Sequence, residues 1–300
     1  MEVMKEKNWN TVGECLDIWL RDYAPQHCKA NTLECYQYAR KRLRRAYPEI
    51  EETPLTDLNP LDFENKLKLL SEQYAKSSLR HIRVLYNQMY KYARKAEKCT
   101  INPACDTRIS INAAEKEVDG LTKAEQKLFE SHLSILAPID EFSLRIFLLT
   151  GVRRDELRLL RWNDWLCEQN LILIRKSKSR SGIRVVPVVP ELHGILCALY
   201  TRSRHHPDDC IISLKDGDPV CKTHFRHICN KVTKSAGMRH VTPHMLRHTF
   251  ATRMIENGAD PKSVSLILGH SDVAFTLKKY VHPDIGHLQQ QIMLIAGKKE

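Results

Sequence analysis

The sequence predicts a mainly α-helical protein with a small antiparallel β-sheet, divided into two domains. Apolar residues recur at helical intervals over most of the chain, whereas residues 171–189 have the pattern of two paired strands. Helical periodicity fades in a polar, proline-containing stretch that ends near residue 120. We therefore predict a helical N-terminal domain over residues 1–110, a linker over 111–120, a mixed α/β domain over 121–285 and a tail over 286–300.

Four helices are predicted in the N-terminal domain. Two begin at pairs with capping-box spacing, in which a short polar side chain and a glutamate satisfy each other's backbone N–H groups. The pairs are Thr11 with Glu14 and Asn31 with Glu34. Pro60 suits the first turn of a third helix. The fourth covers about residues 77–96, with apolar residues on one face and basic residues on the other.

In the second domain, helices are predicted on both sides of a hairpin. Thr122 begins the domain with another capping pair, since Glu125 follows three residues later. Residues 171–189 predict two strands joined by a basic, glycine-containing turn. Gly151 permits a sharp turn out of a buried helix, and Gly269 suits a helix stop. The other predicted helices cover residues 138–149, 222–234 and 243–257, a short segment after Pro261, and a segment ending near Tyr280.

The charge of the chain favours a polyanionic partner. The formal net charge is +11 and the isoelectric point is near 9.1. Residues 1–120 contribute only +2 of this excess, and the remainder contributes +9. A basic surface also occurs in proteins that are merely soluble, so charge alone does not distinguish nucleic-acid binding from solubility.

The sequence carries no signal for a membrane or for export. No apolar run approaches the roughly 18 residues of a membrane-spanning helix, and the N-terminus lacks the apolar core of a signal peptide. The ten cysteines are scattered, without a Cys-x-x-Cys pair. We predict that they are reduced thiols in a cytoplasmic protein, most of them small core residues.

Residues 242–283 contain side chains suited to chemistry at a phosphodiester. His244 and Arg247 are three residues apart, so they share one face of a helix, and His270 and Tyr280 follow. Arginine presents a planar fork of donors to two phosphate oxygens, and imidazoles supply hydrogen bonds and move protons. A tyrosine can supply the nucleophilic oxygen.

An upstream segment, TGVRRDEL at residues 150–157, adds a further arginine. Arg153 follows the turn at Gly151, and Glu156 is three residues later, in a position to orient it. The neighbouring Arg154 points in a different direction on a helix, so we do not expect both arginines to serve one site. A helix end with two surface arginines is the alternative interpretation of this segment.

The histidine spacing also raises a metal hypothesis. His240, His244 and His248 follow one another at four-residue intervals, and a histidine pair with this spacing on a helix can bind zinc. However, no glutamate follows His244 as in His-Glu-x-x-His, and Pro243 is expected to end any helix that runs back to His240. We therefore predict no metal and a structural role for His248. A metal-dependent hydrolase would instead lose its activity with a chelator.

In this order the segments resemble the tyrosine recombinase family, also called phage integrases, in a two-domain arrangement like that of Xer proteins. TGVRRDEL is similar to the first arginine motif of the family, PHMLRHTFAT to its His-x-x-Arg box, and LGHSDVAFTLKKYVHP to its last segment. The resemblance covers about residues 118–285. It implies a helical core-binding domain followed by a mixed α/β catalytic domain.

The resemblance also implies roles for the matching residues. Arg153 and Arg247 would clamp the scissile phosphate, and Tyr280 would attack it to leave a 3′-phosphotyrosine. His244 and His270 would hydrogen-bond the phosphoryl group or move protons.

Other residues would support this chemistry. A lysine of the hairpin turn would protonate the departing 5′-oxygen; Lys178 matches best, with Lys176 as the alternative. Glu156 matches an acidic position that orients the site. The side chains predicted to contact DNA elsewhere are Arg80, Arg83, Arg180 and Lys278.

The implied function is site-specific cleavage and rejoining of double-stranded DNA, with no metal, ATP or other cofactor. The implied partners are a recombination site, a homotetramer formed on two paired sites, and a directionality factor. Two alternatives share the fold or the chemistry: a DNA-binding regulator that does not cleave, and a strand transferase like the type IB topoisomerases. Residues 286–300 would dock on a neighbouring subunit or pack on their own domain. Integration, excision and dimer resolution all fit these motifs.

Overall fold

The computed structural model describes residues 9–110, 113–114, 119–175, 182–202 and 205–270. The chain divides into two compact units, Met1–Glu117 and Val118–Glu300. Both units are helical in their described parts, and the second also contains a three-stranded antiparallel sheet. The predicted fold class is therefore confirmed.

The first unit contains five α-helices in its described residues. The first two are joined through a π-helical turn, Trp19–Tyr23, into one nearly continuous rod, and a 3₁₀ turn, Pro48–Glu51, follows the third. The helices are α1 (Val12–Ile18), α2 (Ala24–His27), α3 (Ala30–Ala46), α4 (Pro60–Leu70) and α5 (Lys76–Lys95).

Helix α5 provides the centre of the core of this unit. Its apolar residues recur at helical spacing, so one face is continuously buried, and α3 packs against it. The ring of Tyr86 on this face lies 5.1 Å from the ring of Phe63 on α4. The other face carries Arg80, which is exposed, and Arg83, which is half-buried and donates to the carbonyl of Thr107 at 3.0 Å.

Two of the three predicted capping boxes are confirmed. Thr11 accepts from the N–H of Glu14, Thr122 accepts from that of Glu125, and both glutamates return the bond. The pair at Asn31 is wrong, because α3 begins at Ala30 and Lys29 is its N-cap without a side-chain bond. Only two extended residues separate α2 from α3, so Asn31 already lies inside α3.

The second unit contains seven α-helices and three strands in its described residues, with 3₁₀ turns at Leu133–Ile135 and Trp162–Asp164. The helices are α6 (Lys123–Ser131), α7 (Pro138–Thr150), α8 (Arg154–Arg158), α9 (Pro190–Tyr200), α10 (His224–Ser235), α11 (Pro243–Glu256) and α12 (Pro261–Leu268). The strands are β1 (Trp165–Leu166), β2 (Leu171–Ile174) and β3 (Arg184–Pro187).

The sheet confirms the predicted hairpin and adds a short third strand. Its order is β1-β2-β3, and all pairs are antiparallel. Ile172 pairs with Val186, and both are buried against the main core of the unit. Because side chains alternate along a strand, Arg184 shares the buried face of β3 with Val186. The turn between β2 and β3 lies outside the described residues.

Two left-handed glycines bring helix ends together. Gly151 ends α7 with φ of 61°, and Gly269 ends α12 with φ of 66°. A Cβ on Gly151 would lie 2.4 Å from the ring of Phe250 on α11 and 2.8 Å from the side chain of Leu268 on α12. Both predicted turns are therefore confirmed, and the close approach at Gly151 places the end of α7 against the middle of α11 and the end of α12.

The prediction that most of the cysteines are core residues is wrong. None of the ten is in a disulfide, and only four are buried. The hydrophobic core is filled by larger aliphatic and aromatic side chains, so thiols are left at several surface positions. In the described residues, no helix is both long enough and apolar enough to cross a bilayer.

Replacing Gly151 by alanine should destabilise the second unit strongly. The left-handed backbone costs a residue with a Cβ about 1–2 kcal/mol, and the clash with Phe250 adds about 1–3 kcal/mol of overpacking. Gly258→Ala is the matched control, since its φ is 86° but no atom lies within 4 Å of the added Cβ. Urea denaturation should show a larger loss for Gly151→Ala. Equal losses would contradict the steric role of Gly151.

Candidate functional site

The described residues of the predicted site converge from three helix ends. Arg153 is the N-cap residue of α8, directly after the turn at Gly151. His244 and Arg247 lie one turn apart in the first half of α11, and His270 follows the glycine that ends α12. Because Gly151 holds α7 against α11 and α12, these residues meet although about 120 positions separate the first from the last.

Glu156 holds Arg153 in place, as the sequence predicted. Its carboxylate accepts from Nη1 of Arg153 at 2.8 Å and from the backbone N–H of Arg153 at 2.8 Å. Nη2 of Arg153 donates to the carbonyl of Gly269 at 2.7 Å. The side chain of Arg153 is still 33% exposed, so it is both fixed and accessible. The exposed Arg154 pairs instead with Asp155.

Arg247 is held by backbone carbonyls. Its side chain is buried, with Nη1 donating to the carbonyl of Gly151 and Nη2 to the carbonyl of Leu268, both at 2.7 Å. These two bonds fix the plane of the guanidinium between the end of α7 and the end of α12. A planar donor fixed in this way suits the fork geometry of a phosphate.

A third arginine, Arg184, lies at the start of β3 and was not among the predicted site residues. Nη1 and Nη2 of Arg184 donate to the carboxylate of Glu156 at 3.1 and 2.9 Å, and Nε donates to the carbonyl of Ile267. The side chains of this pair are only 6% and 3% exposed. The alternation of β3 offered a signal, because an arginine in phase with Val186 on a buried face requires an acidic partner.

Three consecutive carbonyls at the end of α12 thus each accept from a different arginine. Ile267 accepts from Arg184, Leu268 from Arg247, and Gly269 from Arg153. The last carbonyls of a helix have no partner within the helix and carry the negative end of its dipole. They are therefore suitable acceptors for cations that would otherwise repel one another. We call Arg153, Arg184 and Arg247 the arginine cluster.

The arginine cluster affects both titratable groups that it surrounds. Burial alone would raise the pKa of Glu156, but the hydrogen bonds and charges of Arg184 and Arg153 hold it below its ordinary value, so Glu156 is ionised. The pKa of His270 shifts downward, in contrast to that of a histidine paired with a carboxylate. Burial, followed by the charges of the arginine cluster and of His244, lowers the pKa of His270 to about 4.

His244 and His248 form a pair on α11. Their Nε2 atoms are 3.0 Å apart and their rings meet edge to face. One Nε2 must donate and the other accept, so at least one ring is neutral. His248 is buried and His244 is exposed, which makes His248 the support of an accessible imidazole. Helix α11 starts at Pro243, so His240 lies outside it, and no cluster of three metal-ligating side chains occurs in the described residues.

Several predicted site residues lie outside the described part of the chain. They are the nucleophile Tyr280, the hairpin lysines Lys176 and Lys178, and the predicted DNA contacts Arg180 and Lys278. The tail, residues 286–300, is outside it as well. Arg175 and Gly182 flank the undescribed hairpin turn in the chain, and the carbonyl of Gly182 accepts from Arg184. His270 is the last described residue before Tyr280, and the charges of the arginine cluster act on it.

We expect His270 to remain neutral well below physiological pH. Its ordinary pKa is near 6.5 and the folded value is about 4, so the unfolded chain takes up this proton first as the pH falls. His270 should therefore reduce stability as the pH drops from 6.5 towards 4. An NMR titration of the His270 ring, assigned with His270→Asn, should show a midpoint near 4 in the folded protein and near 6.5 in urea. A folded midpoint at or above 6.5 would contradict the positive potential at the site.

Comparison with known proteins agrees with this geometry. Residues 113–287 match the model of the phage integrase family. Tyrosine recombinase XerA of Thermococcus onnurineus is 36% identical over 176 residues, which cover 55% of this chain and 60% of XerA. The match to XerC of Xanthomonas axonopodis covers 65% of that protein, so the chain spans less than two thirds of these relatives. XerD of Shewanella oneidensis is 24% identical over 92% of this chain and 94% of its own.

Solved structures share the fold. The Tn1549 transposon integrase in complex with a circular intermediate DNA superimposes with a TM-score of 0.78 at 20% identity, over 96% of this chain and all of that one. A lambda integrase tetramer bound to a Holliday junction gives a TM-score of 0.72 at 20% identity, over 93% of this chain and 81% of that one. With the family match covering more than half of its residues, this chain belongs to the phage integrase family.

Proposed function

We propose that this protein is a site-specific recombinase that cuts and rejoins double-stranded DNA through a 3′-phosphotyrosine at Tyr280. The observation that supports it best is the arginine cluster, held by one carboxylate and four helix-end carbonyls beside His244 and His270. Burial first, and then the charges of the arginine cluster, lower the pKa of His270, so cationic groups surround the place where a phosphate would be bound. Family membership supplies the class of reaction.

In the proposed reaction, Arg153 and Arg247 bind the non-bridging oxygens of the scissile phosphate. The phenolic oxygen of Tyr280 attacks phosphorus, so a tyrosine–phosphorus bond forms and the bond from phosphorus to the 5′-oxygen breaks. The phenol has an ordinary pKa near 10 and must lose its proton during attack, for which a neutral imidazole is a suitable acceptor. Lys178 is proposed to protonate the leaving 5′-oxygen.

Rigid arginines suit this reaction because the negative charge on the phosphoryl oxygens grows in the transition state. Donors that are already oriented do not have to reorganise when that charge appears, which is the main source of catalysis in such sites. The carbonyls of residues 151 and 267–269 provide this orientation. The phosphotyrosine retains a phosphodiester linkage, so a second strand can displace it and reseal the DNA without ATP. No metal is part of the proposed mechanism.

The wider assembly is also a proposal. The DNA backbone would be bound by Arg80 and Arg83, on the basic face of α5, and by Arg180 and Lys278. The net charge of +11 would attract the DNA electrostatically. The lambda integrase that shares the fold is a tetramer on a Holliday junction, which supports a homotetramer on two paired sites here. We also propose that a directionality factor is a partner and that residues 286–300 dock on a neighbouring subunit. The proposed host is a mobile element, and the proposed location is the cytoplasm.

Trapping of the covalent intermediate tests the nucleophile. A nicked suicide site, chosen from the DNA that flanks the gene, should give a protein–DNA adduct with wild type and none with Tyr280→Phe. Tyr200→Phe is the control, since it removes a phenol from the same unit. An adduct from Tyr280→Phe would identify another nucleophile. A wild type that binds but never forms an adduct would support the non-cleaving regulator, and relaxation of any supercoiled DNA would support the topoisomerase alternative.

The arginine geometry gives a second prediction. Arg247→Lys keeps the charge but cannot hold both carbonyls and present a planar fork, so the rate of adduct formation should fall about 10²–10³-fold. Arg239→Lys is the matched control, because Arg239 binds Glu125 with two bonds in the same unit and has no part in the proposed site. A rate within twofold of wild type for Arg247→Lys would contradict the phosphate clamp. A chelator should leave the rate of wild type unchanged.

A further inference from the structure

We infer that Arg184 is a positioning residue of this site: it links Glu156 to the end of α12 and thereby sets where Arg153 and His270 stand. The inference rests on the proposed function and assigns a role to a residue that the motifs do not include. Arg184 belongs to β3, whereas the motif arginines belong to the segment after α7 and to α11.

The contacts of Arg184 close a ring of hydrogen bonds. Arg184 donates to both oxygens of Glu156 and to the carbonyl of Ile267. Glu156 accepts from Arg153, and Arg153 donates to the carbonyl of Gly269, two residues from Ile267. Without Arg184, Glu156 would keep one guanidinium instead of two, and the end of α12 would lose its bond to the sheet.

Hydrogen bonding and burial together separate the role of Arg184 from that of Arg153. All three guanidinium nitrogens of Arg184 donate to Glu156 or to backbone carbonyls, and its side chain is enclosed, whereas a third of that of Arg153 is exposed. Arg153 can therefore meet a phosphate directly, and Arg184 acts through Glu156 and the backbone. Arg184 also donates to the carbonyl of Gly182 at 2.9 Å, which fixes the chain where it enters β3.

The charge of Arg184 reaches His270 as well. His270 directly follows the three carbonyls that bind the arginine cluster. Burial is the largest cause of its low pKa, and the charged groups that lower it further are Arg247 and His244 from α11, Arg153 before α8 and Arg184 from β3. Removal of one of these cations should raise the pKa of His270 towards its ordinary value. A purely structural side chain would not have this effect.

The test compares Arg184→Gln and Arg184→Lys with Arg40→Gln in the full chain. Arg40 is a matched control, because it binds both oxygens of Glu51 at 2.8 and 3.0 Å in the first unit and its side chain is also largely buried. At saturating suicide DNA, Arg184→Gln should slow adduct formation about 10²-fold, the cost expected when reacting groups move by an ångström, with the Kd for DNA changed less than about threefold. Arg184→Lys should recover part of the rate.

The second measurement is the NMR titration of His270 in the same proteins, which needs no DNA cleavage. The pKa of His270 should rise in Arg184→Gln, rise less in Arg184→Lys and stay unchanged in Arg40→Gln. If Arg184→Gln does not fold, Arg184→Lys carries both comparisons. A rate and a His270 pKa equal to those of wild type would overturn the inference, as would a slower rate with an unchanged pKa. If wild type forms no adduct, the proposed function fails, and a rise in the His270 pKa still places Arg184 in the site.

Discussion

Hydrogen bonds from three guanidiniums to the last carbonyls of α12 are the interaction on which this site depends. Like charges placed close together repel, and a buried guanidinium is costly unless anions or carbonyls surround it. Here a single carboxylate, Glu156, and the carbonyls at the ends of α7 and α12 offset the charges of Arg153, Arg184 and Arg247. The compensation is by dipoles as much as by ions, and burial first, then the charges of the cluster, lower the pKa of His270.

The fold of the second unit provides that arrangement. Helix α11 packs along α7, and the left-handed turns at Gly151 and Gly269 let the ends of α7 and α12 approach within van der Waals distance of each other. Each turn exposes carbonyls at a helix end, and arginines from α11, β3 and the start of α8 bind them. Residues at the ends of α7 and α12 are thereby positioned by elements that are far away in the chain.

Preorganisation of this kind suits phosphoryl transfer without a metal. In the proposed reaction, charge that develops on the phosphate would meet donors already fixed in direction, and His270, neutral at physiological pH, would add no further positive charge to the site. His244 and His248 form a pair in which the buried His248 supports the exposed His244. In the same way, the buried Arg184 supports the more exposed Arg153.

Local sequence patterns determined most of the secondary structure of this protein. Helical periodicity, two capping boxes, the strand alternation and the glycine stops predicted most of the helices, though not α8 or α9, and the hairpin. The order and spacing of Arg153, His244, Arg247 and His270 singled out residues that the fold brings together. At Asn31 the prediction was wrong by two residues, because Lys29 is the N-cap of α3. The tertiary structure alone decided which carbonyls hold the arginines, that Arg184 joins them, and that His270 is neutral. These properties depend on contacts between residues up to 116 positions apart, and no local pattern encodes such contacts.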